Sequence, residues 1–242
     1  MLGSGRTPPG GRGTVAHRYP GPVRIDIWSD IVCPWCSIGR RRLEQAVEVV
    51  RTEDGAAADE VEVVWRSFQL DPDAPVPPAE TTAEALERRY AAGPAQVAAM
   101  VGQVRDLAAQ EGLTHRPEEA PHVNSHDAHR LLHLAREVGG PSLQARLVEA
   151  LMAAYHADAR DVSDHDVLRE VAVGAGLPED RVRGVLAGEE FADAVAEDVA
   201  RARSYGATGV PFVVVADRYG VAGAQPVDAF ADAIRRGLAD RA

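Results

Sequence analysis

What most constrains this chain is a long interval with no strand in it. After the proline-rich stretch DPDAPVPP at 71–78, no strand pattern returns until Phe212. Proline has no N–H to give to a ladder, so the chain leaves the sheet there. On the N-terminal side, Val23, Ile25 and Ile27 alternate with Arg24 and Asp26 before Trp28, which predicts a strand ending at Ser29-Asp30. From Pro34 onward Ile38, Leu43, Ala46, Val47 and Val50 fall at helical spacing. Beyond a Gly/Ala-rich turn with Asp59-Glu60, the run Val61, Val63, Trp65, Phe68 and Leu70 predicts a second strand. On the C-terminal side Phe212 to Val215 is a continuous β-favouring run, Asp217 to Gly220 a turn, Val221 to Ala224 a return strand and 226–239 a final helix. Two strands are too few to stand alone. The two fragments must pair across what separates them.

What separates them is helical. Apolar periodicity predicts helices near 81–92, 94–111, 124–138, 141–157, 163–175, 178–187 and 189–205, broken at Gly93-Pro94, Gly139-Gly140-Pro141 and Gly176-Leu177-Pro178. The expected class is α/β with a large all-helical insertion. Residues 22–75 and 190–242 form the sheet-bearing unit, and 76–189 the insertion. Residues 1–21, rich in Gly, Pro and Arg, are expected to be a disordered lead.

With 242 residues and 45% apolar content the chain has enough material for a sizeable core. Its formal net charge of -11 makes nucleic acid and anionic membranes poor partners. No stretch reaches the roughly 18 apolar residues of a membrane span, and the first residues lack the apolar region of a secretory signal, so a cytoplasmic protein is expected. Thiols are held reduced in that compartment, which favours a catalytic or metal-binding role for Cys33 and Cys36 over a structural disulfide.

Those are the only two cysteines, in IVCPWCSIGR at 31–40. Cys33 falls at a helix N-terminus, where the macrodipole and unpaired N–H groups favour a thiolate, the nucleophile of disulfide exchange. Cys36 lies one turn further in, placed to resolve a mixed disulfide formed at Cys33. Two other readings stay open on these residues: two ordinary apolar thiols, or half of a zinc site. His126, His129 and His133 share a helix face with His122 nearby, so a Cys2His2 set is compatible with the spacing. A proline and a large aromatic between the cysteines, at a strand-to-helix junction, favour redox chemistry. Gly209-Val210-Pro211-Phe212 opens the late strand, and a proline there suits a cis bond.

Together DIVCPWCSIG at 30–39, FQLDP at 68–72, NSHDAHRLLHLA at 124–135, GVPFVVV at 209–215 and VAGAQP at 221–226 resemble the DsbA family of the thioredoxin superfamily, most nearly its FrnE-like branch. The resemblance spans roughly residues 23–240. It implies a thioredoxin-like fold with a helical insertion and a thiol-disulfide oxidoreductase in which Cys33 attacks, Cys36 resolves and Pro211 is the cis-proline beside the dithiol. Val210 would bind a substrate's extended backbone, while Pro34 and Trp35 tune the potential and Trp35 forms an exposed apolar rim. It places the start of the 124–138 helix at the cleft, so that Asn124, His129 and Arg130 are candidates for substrate binding, a histidine or arginine there supporting a thiolate or binding an acidic co-substrate, with His126 and Asp127 beside them; capping for Asn124 and solvated helix positions for His129 and Arg130 are the alternatives. Asp30 would either oppose the Cys33 thiolate or cap the helix. Expected partners are disulfide-bearing proteins or small molecules, with a low-molecular-weight thiol as possible co-substrate and no bound cofactor or metal. The alternative is a glutathione-type isomerase or transferase related to 2-hydroxychromene-2-carboxylate isomerase. Such proteins usually carry a serine where Cys33 stands.

Overall fold

The computed structural model describes residues 21–54 and 61–241. The lead expected over 1–21, except Gly21, and the turn at Asp59-Glu60 lie outside the described residues. Four strands form one sheet in the order β2-β1-β3-β4. β1 (Val23–Ser29) runs parallel to β2 (Val61–Ser67), with Val23 opposite Val61 and Ser29 opposite Ser67. β3 (Phe212–Val215) pairs antiparallel with β1, and β4 (Tyr219–Ala222) antiparallel with β3. The two sheet fragments thus meet along β1.

Because β1 is central, both its faces are covered. Val23, Ile25 and Ile27 join Leu43, Ala46 and Val50 of α1 (Pro34–Asp54) with Phe230 and Ile234 of α8 (Val227–Ala239) in the main core. On the opposite face Trp28, Phe212 and Val214 pack with Ala202 of α7 (Ala192–Ser204), and the Trp28 indole N–H donates to the Asp198 carbonyl at 2.8 Å. Replacing Trp28 by Ala would cost about 3–5 kcal/mol by the usual price of an emptied aromatic site.

Between β2 and β3 the chain is helical. α2 (Thr82–Tyr90) opens with a Thr81/Glu84 capping box, and α3 (Pro94–Gln110) has proline at its start. α4 (His126–His156) joins the two helices expected over 124–138 and 141–157. They stay distinct in direction, because Gly140 takes φ 65° and ψ -164° before Pro141. α5 (His165–Ala175) and α6 (Glu179–Ala187) follow. Gln144 of α4 caps the open edge of β2: its Oε1 accepts the Trp65 N–H at 3.1 Å and its Nε2 donates to the Trp65 carbonyl at 3.0 Å.

Two boundaries differ from expectation. β2 stops at Ser67 instead of running to Leu70, because the Leu70 N–H turns to the Asp30 carboxylate at 2.8 Å. β4 begins two residues early, at Tyr219. The turn is made by Ala216 and Asp217, with φ 54° and 55°, while Gly220 pairs with Val214 inside the ladder. Glycine there had suggested the turn.

Candidate active site

At the end of β1 the chain turns through Asp30 and enters α1. The Cys33 N–H donates to the Asp30 carbonyl at 3.2 Å, and the Cys33 carbonyl accepts from the Cys36 N–H at 3.0 Å. Both cysteines are free thiols and both are buried, Cys33 with 3% of its surface exposed and Cys36 with none. Their surroundings nevertheless differ. Burial pushes the Cys36 thiol well up, and contact with the Cys33 sulfur adds to this; the Asp30 backbone N–H and the Ser29 hydroxyl on the other side offset it only in part. Cys36 therefore holds its proton. The Cys33 thiol faces the Val210 carbonyl, at 3.8 Å.

Val210 and Pro211 are joined by a cis peptide, and Pro211 is buried against α1. The approach is close enough that a Cβ on Gly39 would stand 2.8 Å from the Pro211 ring. Gly39 thus lets the proline loop lie against the first turns of the helix. Nothing in its helical setting, between Ile38 and Arg40, marked it in the sequence. Pro34 is half-buried, and Trp35 is 41% exposed beside the thiols.

Asp30 lies inside. It is fully buried; one carboxylate oxygen accepts the Leu70 N–H and the other faces His129 Nε2 at 3.3 Å. It does not sit at the helix end as a side-chain cap.

At the start of α4, His129 and Arg130 are not solvated helix positions. His129 is fully buried against Asp30. Arg130 is also buried. Its guanidinium donates to the carbonyls of Val185, Gly188 and Glu190 and to the Asp127 carboxylate, tying α4 to the turn between α6 and α7. Four of its five N–H donors are thus spent inside the fold. Asn124 is half-buried and equally committed: its Nδ2 donates to the Pro72 carbonyl at 2.8 Å, and its Oδ1 accepts from the His126 N–H at 2.9 Å and from Gln69 at 3.2 Å. It pins the 69–74 loop to the helix start, beside a shallow crevice of about 430 Å³ that Val76 and His126 also line.

The histidines of the possible zinc set diverge. His129 meets Asp30, His122 meets Asp71 at 3.0 Å, and His133 meets Ser67 and Asp198. Among the described residues no group of three or more His, Cys, Asp or Glu side chains gathers as a ligand set. Ser67, His133 and Asp198 do not form a nucleophilic triad either. Ser67 and Asp198 contact the same imidazole nitrogen, at 3.1 and 3.3 Å, and Ser67 is buried.

A second histidine pair went unread in the sequence. The rings of His115 and His156 stack 4.4 Å apart behind the dithiol; His115 Nε2 meets the Ser37 hydroxyl at 3.1 Å and His156 lies against the backbone of Ile31 and Cys33. Burial pulls His115 down to about 4; burial and the His115 charge pull His156 down to about 3. Both are neutral at pH 7. They sit in sequence where no periodicity marks them.

The family profile of the DSBA-like thioredoxin domain matches residues 24–235. A solved structure described as a probable DsbA oxidoreductase from Streptomyces coelicolor is 40% identical, with 91% of this chain and 92% of that one covered and a TM-score of 0.82. A putative protein disulfide isomerase from Nitrosomonas europaea is similar in fold at 20% identity, covering 91% and 100%, with a TM-score of 0.66. A 2-hydroxychromene-2-carboxylate isomerase structure follows at 14% identity, covering 88% and 95%, with a TM-score of 0.60. With a sheet and helical insertion of the same kind and a profile match over most of its length, this chain belongs to the DsbA-like thioredoxin family.

Proposed function

We propose that the protein is a thiol-disulfide oxidoreductase that reduces, forms or exchanges disulfides through Cys33 and Cys36. The observation that carries this reading is the asymmetry of the two sulfurs: Cys33 opens toward Val210 and the cis-proline, and Cys36 is sealed behind it with its proton held by burial. In the reductive direction the Cys33 thiolate attacks one sulfur of the substrate disulfide, forming a mixed disulfide and expelling a thiolate that takes a proton from solvent. Cys36 then loses its proton and attacks the Cys33 sulfur, releasing the second substrate thiol and leaving the Cys33–Cys36 disulfide. Two electrons pass from the dithiol to the substrate, and an external thiol restores the dithiol. The Val210 carbonyl offers an acceptor to an extended backbone, and Trp35, Leu70 and Val76, 41%, 38% and 64% exposed, add apolar surface to that side of the molecule.

Substrates of this kind are disulfide-bearing proteins or low-molecular-weight disulfides, and we place the chain in a cytoplasmic setting, with its sequence segments resembling the FrnE-like branch. No helix among the described residues is long and apolar enough to cross a membrane. The glutathione-type isomerase reading is less well supported, because a second cysteine buried against the first has no part in that chemistry. The test is a trap: Cys36→Ser incubated with cell extract is expected to accumulate mixed disulfides at Cys33, and Cys33→Ser to lose insulin-disulfide reduction. Full reductase activity in Cys33→Ser would overturn the reading.

A further inference from the structure

A buried carboxylate is costly unless a partner offsets its charge. Asp30 has one such partner, His129, brought in from α4 by a contact spanning 99 residues of sequence, and both side chains are 1% exposed. The backbone of Asp30 meanwhile touches both sulfurs' surroundings, its carbonyl accepting from the Cys33 N–H and its N–H facing the Cys36 sulfur. Asp30, Cys33 and Tyr155 are all buried, and the Cys33 N–H bond to the Asp30 carbonyl at 3.2 Å keeps the two residues side by side, so carboxylate and thiol share one water-poor compartment. In such a compartment a bare Asp30 charge opposes a thiolate at Cys33.

The titratable groups facing this compartment are few: Cys33 and Cys36 of α1, Asp30 and His129, Tyr155 and His156 from the end of α4, His115 behind His156, and Asp161 near Tyr155. Burial keeps Cys36 and Tyr155 protonated and the two stacked histidines neutral at pH 7. What remains to balance the sulfur's charge is the Asp30–His129 pair. His129 Nε2 stands 3.3 Å from Asp30 Oδ1, so among these groups the imidazole is the one placed to offset the carboxylate directly. His129 Nδ1 is buried with no hydrogen-bond partner, so Asp30 is the polar group that this ring engages.

We infer that His129 is a positioning residue of the dithiol: through its buried contact with Asp30 it offsets the carboxylate's charge beside Cys33, favours the reduced, thiolate form and so sets the reduction potential. The inference rests on Cys33 being the attacking thiol. It gives the helical insertion a direct influence on the redox pair without any contact with substrate.

The test compares His129→Gln, Asp30→Asn and the double variant. Iodoacetamide alkylation of Cys33 is followed against pH in a Cys36→Ser background, and the potential of the intact pair is measured against dithiothreitol at pH 8, with circular dichroism to check the fold. His129→Gln is expected to lower Cys33 reactivity about tenfold on the rising limb of its pH profile. The same factor makes the pair more reducing by about 30 mV. Asp30→Asn/His129→Gln is expected to return both readings to near the wild-type values, since the charge to be cancelled is gone. A purely structural role predicts the reverse, with the double variant at least as far from wild type as His129→Gln. An unmoved profile and potential in His129→Gln, or a double variant no closer to wild type, overturns the inference. If Cys33 in the unaltered Asp30–His129 setting shows no reactivity above a free thiol, the proposed function fails instead.

Discussion

The first turns of α1 and α4 flank Asp30, and they are built in opposite ways. At α1 the Cys33 sulfur has a single carbonyl near it, at 3.8 Å, and Trp35 stands in the open. At α4 almost every polar group is committed: Asn124 to Pro72, Gln69 and His126, Asp127 to Arg130 and His165, and Arg130 to three carbonyls. A group that must react keeps valence free, and a group that holds the fold spends it on neighbours. Substitutions should therefore separate the two turns, with α1 variants losing chemistry and α4 variants losing stability.

The largest effect belongs to Cys33→Ser, with insulin-disulfide reduction falling on the order of a thousandfold or more while the melting temperature holds within a few degrees. A collapse of the fold in that variant would blur the contrast between the turns. Next is Arg130→Ala, expected to destabilise by about 3–5 kcal/mol in urea unfolding, because it strands buried carbonyls and the Asp127 charge. Its thiol chemistry should survive in the folded fraction. If activity is lost with stability intact, Arg130 belongs to the reactive side after all.

The stacked histidines sharpen the comparison through pH. Each is lowered in the folded protein, to about 4 and about 3, so the unfolded chain binds the extra protons. Their contribution is full above pH 6.5 and drains away as pH falls from there toward 4 and then 3, each ring accounting for on the order of 3 kcal/mol by pH 4. Urea unfolding from pH 7 to pH 4 should show this slope, and His156→Phe should flatten it. Gly39→Ala comes next. The added methyl meets the rigid Pro211 ring, so a loss of about 1–2 kcal/mol and a several-fold drop in activity are expected despite alanine's better helix propensity. The smallest change in stability is expected for exposed Trp35→Ala, within about 0.5 kcal/mol, with the effect instead in the KM for protein disulfides. Equal KM would remove Trp35 from the recognition surface.

Much of the fold was legible. Alternation marked β1 and the core of β2, helical spacing with Gly-Pro breaks separated α2 to α6, and the strandless interval required the two sheet fragments to pair, as they do along β1. The errors came where a local signal was borrowed by another role. Gly220, taken as a turn residue, lies in the β4 ladder, while Ala216 and Asp217 make the turn with positive φ. Leu70 continued the alternation of β2, but its N–H belongs to Asp30. At the site, the cysteines and Pro211 stood out because their signals lie within a few residues. His129 and Arg130 drew notice by their place at the helix start, but that both are buried could not be read there. Gly39, His115 and His156 carried no readable pattern.

Local patterning by itself determined the order of strands and helices, the interruption of the sheet by a helical insertion, and the placement of two thiols one turn apart at a helix start. Those follow from spacing, which depends only on neighbouring residues and the geometry of the elements they form. The tertiary structure alone decided that Arg130 is a clamp and that Asp30 and His129 meet beneath the dithiol. Burial and charge compensation arise between segments as far apart as 99 residues, and they exist only once those segments exclude water from a shared interior.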